Sequence, residues 1–485
     1  MTTPPRFPAT IVWFRRDLRL SDNPALEAAV ARGGAVVAAW VHAPGEEGGS
    51  APGAAARVFL HGALRSLAES LEARGSGLLL RRGPSIKALI DLARETGADA
   101  VYANRVWEPA FLGRDARAIE ALRANGLEAR LFDDGVLFPP DAMKTTAGGP
   151  FRVFTPFLRR CLSSSGPEPP RPAPGRVPSP GALPPSLPLQ ELRLLPSASR
   201  DAGIHAAWPP GEKAAGDRLS VFLDEAMAAY PGDRDRPDRD GTSRLSPYLH
   251  LGCASARQVW HAVQLRAAAD SAPGAARGAE AFLRQLVWRE FAHHLLFHYP
   301  ATVHAPLRGE FAAFPWRDDP SSLDAWQKGR TGYPLVDAGM RQLRQTGWMH
   351  NRLRMVVASF LVKDLLLPWR NGASWFFDTL VDADLANNTF GWQWVTGCGA
   401  DAAPFFRVFN PALQGEKFDP GGNYVRTWVP EIAPLPDRWI HRPWDAPASV
   451  LSGAGVTPGK TYPGPIVDHA AARLRALAAL PRRFP

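Results

Sequence analysis

The stretch from Gly347 to Val395, GWMHNRLRMVVASFLVKDLLLPWRNGASWFFDTLVDADLANNTFGWQWV, places Trp, Asn, Arg and Asp inside a run whose apolar residues otherwise read as buried helix. Polar and charged groups in such a run need partners, because burying them unpaired is costly. From Trp348 to Leu367 the apolar spacing predicts one helix, with Asn351, Arg354 and Met355 three to four residues apart on a single face. Downstream, DADLANN offers Asp382 and Asp384. A buried Arg354 paired with Asp382 would satisfy both charges and flank a flat, polar-edged ligand from two sides.

A second stretch, Gly241 to Leu249 (GTSRLSPYL), sets three hydroxyls and an arginine just before a helical pattern. Free backbone N–H groups and the helix dipole at such a point suit a phosphate; the same residues would also serve as an ordinary capping box. Trp288, in FLRQLVWREF, and Trp394, in GWQW, read from the residues alone as core aromatics, although their polar neighbours fit a core poorly. Gly459-Lys460-Thr461 ends like a phosphate-binding loop, but the required earlier glycine is Ala454 and no strand precedes it. His293-His294 lacks cysteine or carboxylate neighbours at metal spacing, so surface or packing histidines are expected, and no metal.

Two scaffolds are needed to position these groups. Strand-like runs at Ile11–Phe14, Val36–Val41, Leu78–Leu80 and Ala100–Tyr102 alternate with amphipathic stretches such as Ala55–Ala73 and Pro84–Glu95. This rhythm predicts an α/β domain with a doubly wound parallel sheet over residues 1–140. Ligands on such sheets sit beyond the strand C-termini, where WFRRDLRLSDNPAL supplies a basic turn and a Ser21 or Asp22 helix cap. Without a G-x-G-x-x-G string, a dinucleotide is not expected there. Residues 141–210 read as an interdomain connector, crowded from about Ser163 with Pro, Gly and Ser, where proline removes ladder and helix donors and excludes a regular element. From Gly211 the pattern is helical (Ala214–Ala229, Ser255–Ala268, Ala279–Phe297, Asp337–Gln345), predicting an all-helical domain over 211–485.

With 485 residues, the chain can bury two or three cores, and 45% hydrophobic with 21% charged residues is ordinary for a globular protein. Its net charge of +9 favours a polyanionic partner such as nucleic acid. Cys161, Cys253 and Cys398 are too few and too scattered for a disulfide framework, which suits a reducing compartment. No apolar run reaches the length of a membrane span and the N-terminus lacks a signal-type apolar segment, so a cytoplasmic protein without membrane contact is expected.

Taken in order, TSRLSPYL, WREF, the Gly347–Val395 run and FFRVFNPALQGEKFDPGGNYVRTWVPE closely resemble the photolyase and cryptochrome family over nearly the whole chain. The resemblance implies an antenna-type α/β domain joined by the Pro-rich connector to an all-helical FAD-binding domain. It implies that Thr242, Ser243, Leu245 and Ser246 bind the flavin pyrophosphate with Tyr230 nearby. Arg289, Trp348, Asn351, Arg354, Asp382 and Asp384 would complete the site, and Asn388 would stand beside flavin N5, where an amide accepts N5–H without adding negative charge. Trp392, Trp369 and Trp316 match an electron-transfer chain to the surface. Trp288 and Trp394 match residues that sandwich a flipped-out lesion, as base-flipping enzymes do. Asn351 and Met355 match pyrimidine contacts, and Arg352 and Arg407 match positions near the DNA backbone. Gln285 stands where dimer photolyases usually carry Glu.

The implied activity is repair of UV-damaged DNA by a monomer with no obligate protein partner: reduced FAD, excited by light, gives an electron to a cyclobutane pyrimidine dimer and the ring splits. A methenyltetrahydrofolate-like antenna is a possible second chromophore, but the chain reads Ala110-Phe111 after Trp107-Glu108, departing from the Asn-Glu dipeptide of the best-known folate binders. A cryptochrome-type photoreceptor and a (6-4) photoproduct photolyase are the alternatives. Pro485 following soon after the shared core argues against the first, and Asn351 and Met355, standing where (6-4) enzymes carry a histidine pair, argue against the second; Gln285 leans toward it.

Overall fold

The computed structural model describes residues 9–196, 201–270, 273–401 and 406–480. The chain divides into two compact units: Met1–Ala228 with Ser243–His298 and Val381–Ala386, and Ala229–Thr242 with Tyr299–Leu380 and Asn387–Pro485.

The first unit is built on a parallel sheet of β1 (Ala9–Phe14), β2 (Ala35–His42), β3 (Leu78–Arg82), β4 (Ala100–Asn104) and β5 (Glu128–Phe132), in the order β3-β2-β1-β4-β5. Every residue of β1 is buried, as a strand covered on both faces requires, and Val12 pairs with Ala38 on one side and Tyr102 on the other. The chain reverses its winding between β1 and β4, the point where open α/β sheets form crevices. β5 went unread in the sequence because this edge strand alternates exposed Glu128 and Arg130 with buried Ala129 and offers no apolar run.

Three local expectations in this unit are corrected. The helix after the first strand is capped by neither Ser21 nor Asp22; the Asn23 side chain accepts the Leu26 N–H at 3.1 Å, while the Ser21 hydroxyl donates to Glu212 and Asp22 pairs with Arg257. The basic turn is mostly structural: Arg15 pairs with Asp115 and Arg19 with Asp134, each at 2.8 Å and with both partners buried. The span read as connector does contain regular elements, the Phe154–Leu162 helix ahead of its Pro-rich part and the Asp201–Ala207 helix, formed where the prolines give way to alanine-rich sequence. Its Pro-rich part is ordered against the sheet, with Leu80 N–H on the Ser186 hydroxyl at 2.9 Å.

The same unit holds the helices Ala256–Ala269, closed by a Ser255/Gln258 capping box, and Ala275–His298. Gly278 in the longer helix permits a close backbone approach, since a Cβ there would lie 1.9 Å from the Met227 carbonyl oxygen.

The second unit is helical, including Pro334–Thr346, Asn351–Ser359, Trp369–Thr379 and His469–Ala478; Leu385–Thr396 begins in the first unit and enters the second at Asn387. The single helix expected over Trp348–Leu367 is instead an α-helix from Asn351, capped by His350 Nδ1 accepting the Arg352 N–H, which becomes a π turn over Phe360–Asp364. Leu366 then takes φ 55° ahead of Pro368, which cannot continue a helix. Among the described residues, no helix is long and apolar enough to cross a membrane.

Candidate functional site

In the second unit, burial sorts the Asn351–Ser359 helix into the faces its spacing predicts: Leu353, Val356 and Val357 are buried, Asn351 is exposed, and Arg354 and Met355 are half-buried. Arg354 is thus less enclosed than expected, and its Nε donates to the Met349 carbonyl at 2.8 Å. Arg352, expected near DNA, is engaged within its own unit by Asp235 at 2.8 Å and by the Phe418 ring at 4.3 Å, whereas the Arg407 side chain is exposed. Trp348 is buried with its ring edge-on to His350. Tyr230 is buried, which raises its phenol pKa, and the Arg234 guanidinium lies 5.6 Å from its ring centroid. Thr242 follows Gly241, where a Cβ would come within 2.6 Å of the Asp233 Cβ.

The Leu385–Thr396 helix carries Asn388, Trp392 and Trp394. Asn388 Nδ2 donates to the Ala373 carbonyl at 3.0 Å, which orients the amide and leaves Oδ1 as its acceptor end. Trp392 is 2% exposed and lies edge-on to Phe376 (5.1 Å) and Trp326 (6.3 Å). Trp369, at the start of its helix, is 5% exposed, and Trp316 is half-buried with its ring 4.4 Å from Phe314. Exposure therefore rises along the order expected for a relay. Trp394 is half-buried.

In the first unit, Ser243, Leu245 and Ser246 lead into the Ser246–His250 helical turn, and the Ser243 carbonyl accepts the Arg218 Nε–H at 3.0 Å. Asp382 and Asp384 are both buried, and the Asp384 N–H donates to the Asp382 carbonyl at 2.7 Å. Asp384 faces His293 at 3.4 Å and His250 at 3.9 Å; burial alone would raise its pKa, but these imidazoles and Arg289 hold it well below the usual carboxylate range. Asp384, Arg289 and both histidines line a cavity of about 40 Å³ with Arg16, Asp17 and Glu108. Arg289 also pairs with Glu290 at 3.0 Å. Trp288 stacks on Phe154 at 3.5 Å with 5° between planes, so one of its faces is already covered; Gln285, one turn earlier, is half-buried.

Each unit, taken by itself, carries groups of the chemistry that a flavin nucleotide needs. The first supplies hydroxyls ahead of a helical turn for phosphates and buried carboxylates for polar edges, and the second supplies a neutral, oriented amide acceptor at Asn388. A separate cleft of about 520 Å³ opens beyond the C-terminal ends of β2 and β3, walled by His42, Pro44, Glu46, Arg82, Leu192 and Arg193. Glu108, next to the departure from folate-binding members, is buried against Arg16 at 3.2 Å.

His250 escaped sequence reasoning, and His293, read there as a surface or packing histidine, instead faces a carboxylate, because no spacing rule ties either to an aspartate that lies about a hundred residues away. His294 is a packing residue, its Nε2 accepting the Phe151 N–H at 3.0 Å. Among the described residues, no cluster of three or more His, Cys, Asp or Glu could hold a metal ion.

Family models describing DNA photolyase and the FAD binding domain of DNA photolyase match residues 10–175 and 282–482. A deoxyribodipyrimidine photo-lyase of Agrobacterium fabrum is 48% identical over 97% of this chain and 97% of that protein. Cryptochrome-1 of Arabidopsis thaliana is 43% identical over 96% of this chain and 69% of its own length. Among solved structures, a bacterial class III photolyase from Agrobacterium tumefaciens superposes with a TM-score of 0.94 at 46% identity, covering 99% of this chain and 98% of that one. An archaeal photolyase from Sulfolobus tokodaii, with two FAD molecules, gives 0.81 at 29% identity over 97% and 99%. Identity this high along almost the full length, on a sheet and helices of the same architecture, means that the chain belongs to the photolyase and cryptochrome family.

Proposed function

We propose that this protein is a deoxyribodipyrimidine photolyase that repairs cyclobutane pyrimidine dimers in UV-damaged DNA. The reading rests on Asn388, a neutral amide oriented by the Ala373 carbonyl where signalling plant relatives usually carry Asp. FAD, when bound and reduced, would supply the light-driven electron that opens the cyclobutane ring and would regain it once the two pyrimidines are restored. The protein binds, orients and excludes water; ring splitting needs no general base or nucleophile.

In this reading residues 1–140 are the antenna-type domain, 141–210 the connector and 211–485 the catalytic domain. Tyr230, Thr242, Ser243, Leu245, Ser246, Arg289, Trp348, Asn351, Arg354, Asp382 and Asp384 hold the cofactor. Asn388 Oδ1 accepts a ring N–H without placing negative charge beside it. Trp288, with Phe154 fixing one face, presents the other to a base, and Trp394, Asn351 and Met355 complete the lesion contacts. Gln285 donates to a pyrimidine carbonyl where charge develops. Arg407 contacts DNA phosphate. Trp392, Trp369 and Trp316 recharge the cofactor. A methenyltetrahydrofolate-like antenna has room in the cleft beyond β2 and β3, where His42, Arg82 and Arg193 suit an anionic ligand. Three buried free thiols fit a cytoplasmic setting.

The test is to incubate the flavin-loaded protein with a dimer-containing oligonucleotide, in the dark and under blue light, and follow the absorbance of restored thymines. Recovery only in light is expected. Flavin binding without recovery would move the reading to a photoreceptor, for which the 43% identity to the Arabidopsis cryptochrome speaks. Turnover of only the (6-4) photoproduct would move it to that class.

A further inference from the structure

One stripe of the helix that begins at Asn351 continues past the expected lesion contacts. Asn351, Met355, Ser359 and Lys363 recur every four residues, and the last two lie at the junction with, and inside, the π turn Phe360–Asp364. Ser359 is 0% and Lys363 3% exposed. Both reach the backbone of one short segment: the Phe409 N–H donates to Ser359 Oγ at 3.2 Å, and Lys363 Nζ donates to the Arg407 carbonyl. The Lys363 ammonium also lies 4.3 Å from the Phe406 ring centroid. Phe406 is packed with Phe311, Phe314, Leu366 and Cys398, so the segment is fixed on its apolar side as well.

Burying this lysine is costly: desolvation pushes its pKa down to about 7, despite neighbouring Asp364. Asp364 is itself engaged by His469 Nδ1 at 2.5 Å, and its carbonyl accepts the Arg475 Nη2–H at 2.6 Å. Lys363 is therefore aimed away from its acidic neighbour's partners and onto the segment. What that segment presents outward is the exposed Arg407 side chain. A π turn at this point advances Lys363 relative to an α-helical course, and such turns gather at functional sites.

We propose that Ser359 and Lys363 are positioning residues for DNA binding, clamping the backbone at residues 407 and 409 so that the Arg407 guanidinium is held ready for a phosphate. The inference rests on Arg407 being a phosphate contact. A flexible arginine pays ordering entropy when it binds, and a fixed backbone reduces that cost. The clamp and the lesion contacts share one rigid helix, so the register between damaged base and phosphate is built into its length.

The experiment uses flavin-loaded protein in the dark and a fluorescein-labelled duplex carrying one thymine dimer, with dissociation constants measured from 50 to 200 mM salt. Arg407→Ala should flatten the slope of log affinity against log salt by about one. Lys363→Met should flatten it by the same amount, and Lys363→Met with Arg407→Ala no further; Lys363→Arg, which restores a donor, should return the slope toward wild type. Ser359→Ala, a smaller change that tests the clamp if Lys363→Met does not fold, should flatten the slope in the same direction and lose that effect in the Arg407→Ala background. A flattened slope in Arg407→Ala with wild-type slopes in both clamp variants would overturn the clamp while leaving Arg407 in place. Additive effects of clamp and Arg407 substitutions would overturn it too. A wild-type slope in Arg407→Ala would overturn the phosphate reading beneath it.

Discussion

Gly372 sets how closely Trp392 packs, and replacing it is a direct test of that packing. A Cβ at Gly372 would lie 2.0 Å from Trp392 Cη2, 2.5 Å from Cζ3 and 2.6 Å from Leu361 Cδ2. Carbon atoms in contact need about 3.5 Å, so Gly372→Ala demands a shift of roughly 1.5 Å. The ring has little freedom to give, because Phe376 and Trp326 stand edge-on at 5.1 and 6.3 Å and the residue is 2% exposed. Overpacking of this kind costs about 1–3 kcal/mol. Ala regains about 1 kcal/mol of helix propensity over Gly, which leaves a net loss of up to about 2 kcal/mol. Gly216 is the control: it too is helical, but its Cβ would meet nothing within 4 Å, so Gly216→Ala should stabilise by about 0.5–1 kcal/mol. Urea unfolding of the two variants should shift in opposite directions, and blue-light reduction of the oxidised flavin should slow in Gly372→Ala alone. If Gly372→Ala matches Gly216→Ala in stability and photoreduces at the wild-type rate, the tight seat of Trp392 is wrong.

Trp392→Phe should slow photoreduction of oxidised flavin while repair by chemically prereduced protein stays nearly intact; unchanged photoreduction in both Trp392→Phe and Trp369→Phe would remove the relay. Gln285→Leu should lower the repair quantum yield more than it weakens binding, and Gln285→Glu should preserve or modestly improve dimer repair, an assignment lost if Gln285→Leu repairs dimers as efficiently as wild type. Burial and the nearby His298 push the His294 imidazole from 6.5 down to about 4 in the folded state, so its contribution to stability is complete above pH 6.5 and is lost as pH falls through 4. By pH 4.5 the loss should reach about 2.5 kcal/mol, and His294→Gln, which keeps an acceptor for the Phe151 N–H but cannot titrate, should show a flatter urea-stability profile between pH 7 and 4.5; parallel profiles would show that His294 does not titrate as described.

The sequence by itself determined the elements whose signal is local. β1, β2 and β4 were legible because strands buried on both faces must be nearly continuously apolar, the edge strand β3 from its Leu78–Leu80 run, and the faces of the Asn351–Ser359 helix because burial imposes helical spacing. The family was legible from long strings in fixed order, and with it the residues to examine. The tertiary structure alone decided what depends on partners distant in the chain. The arginines of WFRRDLRL could have served a ligand, and only the fold brings Asp115 and Asp134 to Arg15 and Arg19 and turns them into internal supports. β5 has too little apolar character to announce an edge strand, and Asn23 rather than Ser21 or Asp22 became the cap because both of the latter were claimed from far away by Glu212 and Arg257. Ser359 and Lys363 sit in a run that reads as ordinary helix. Their polar ends acquire a purpose only when the chain returns some fifty residues later with Arg407 and Phe409, because a hydrogen bond is fixed by distance and direction in space, and the spacing of residues along one element carries neither.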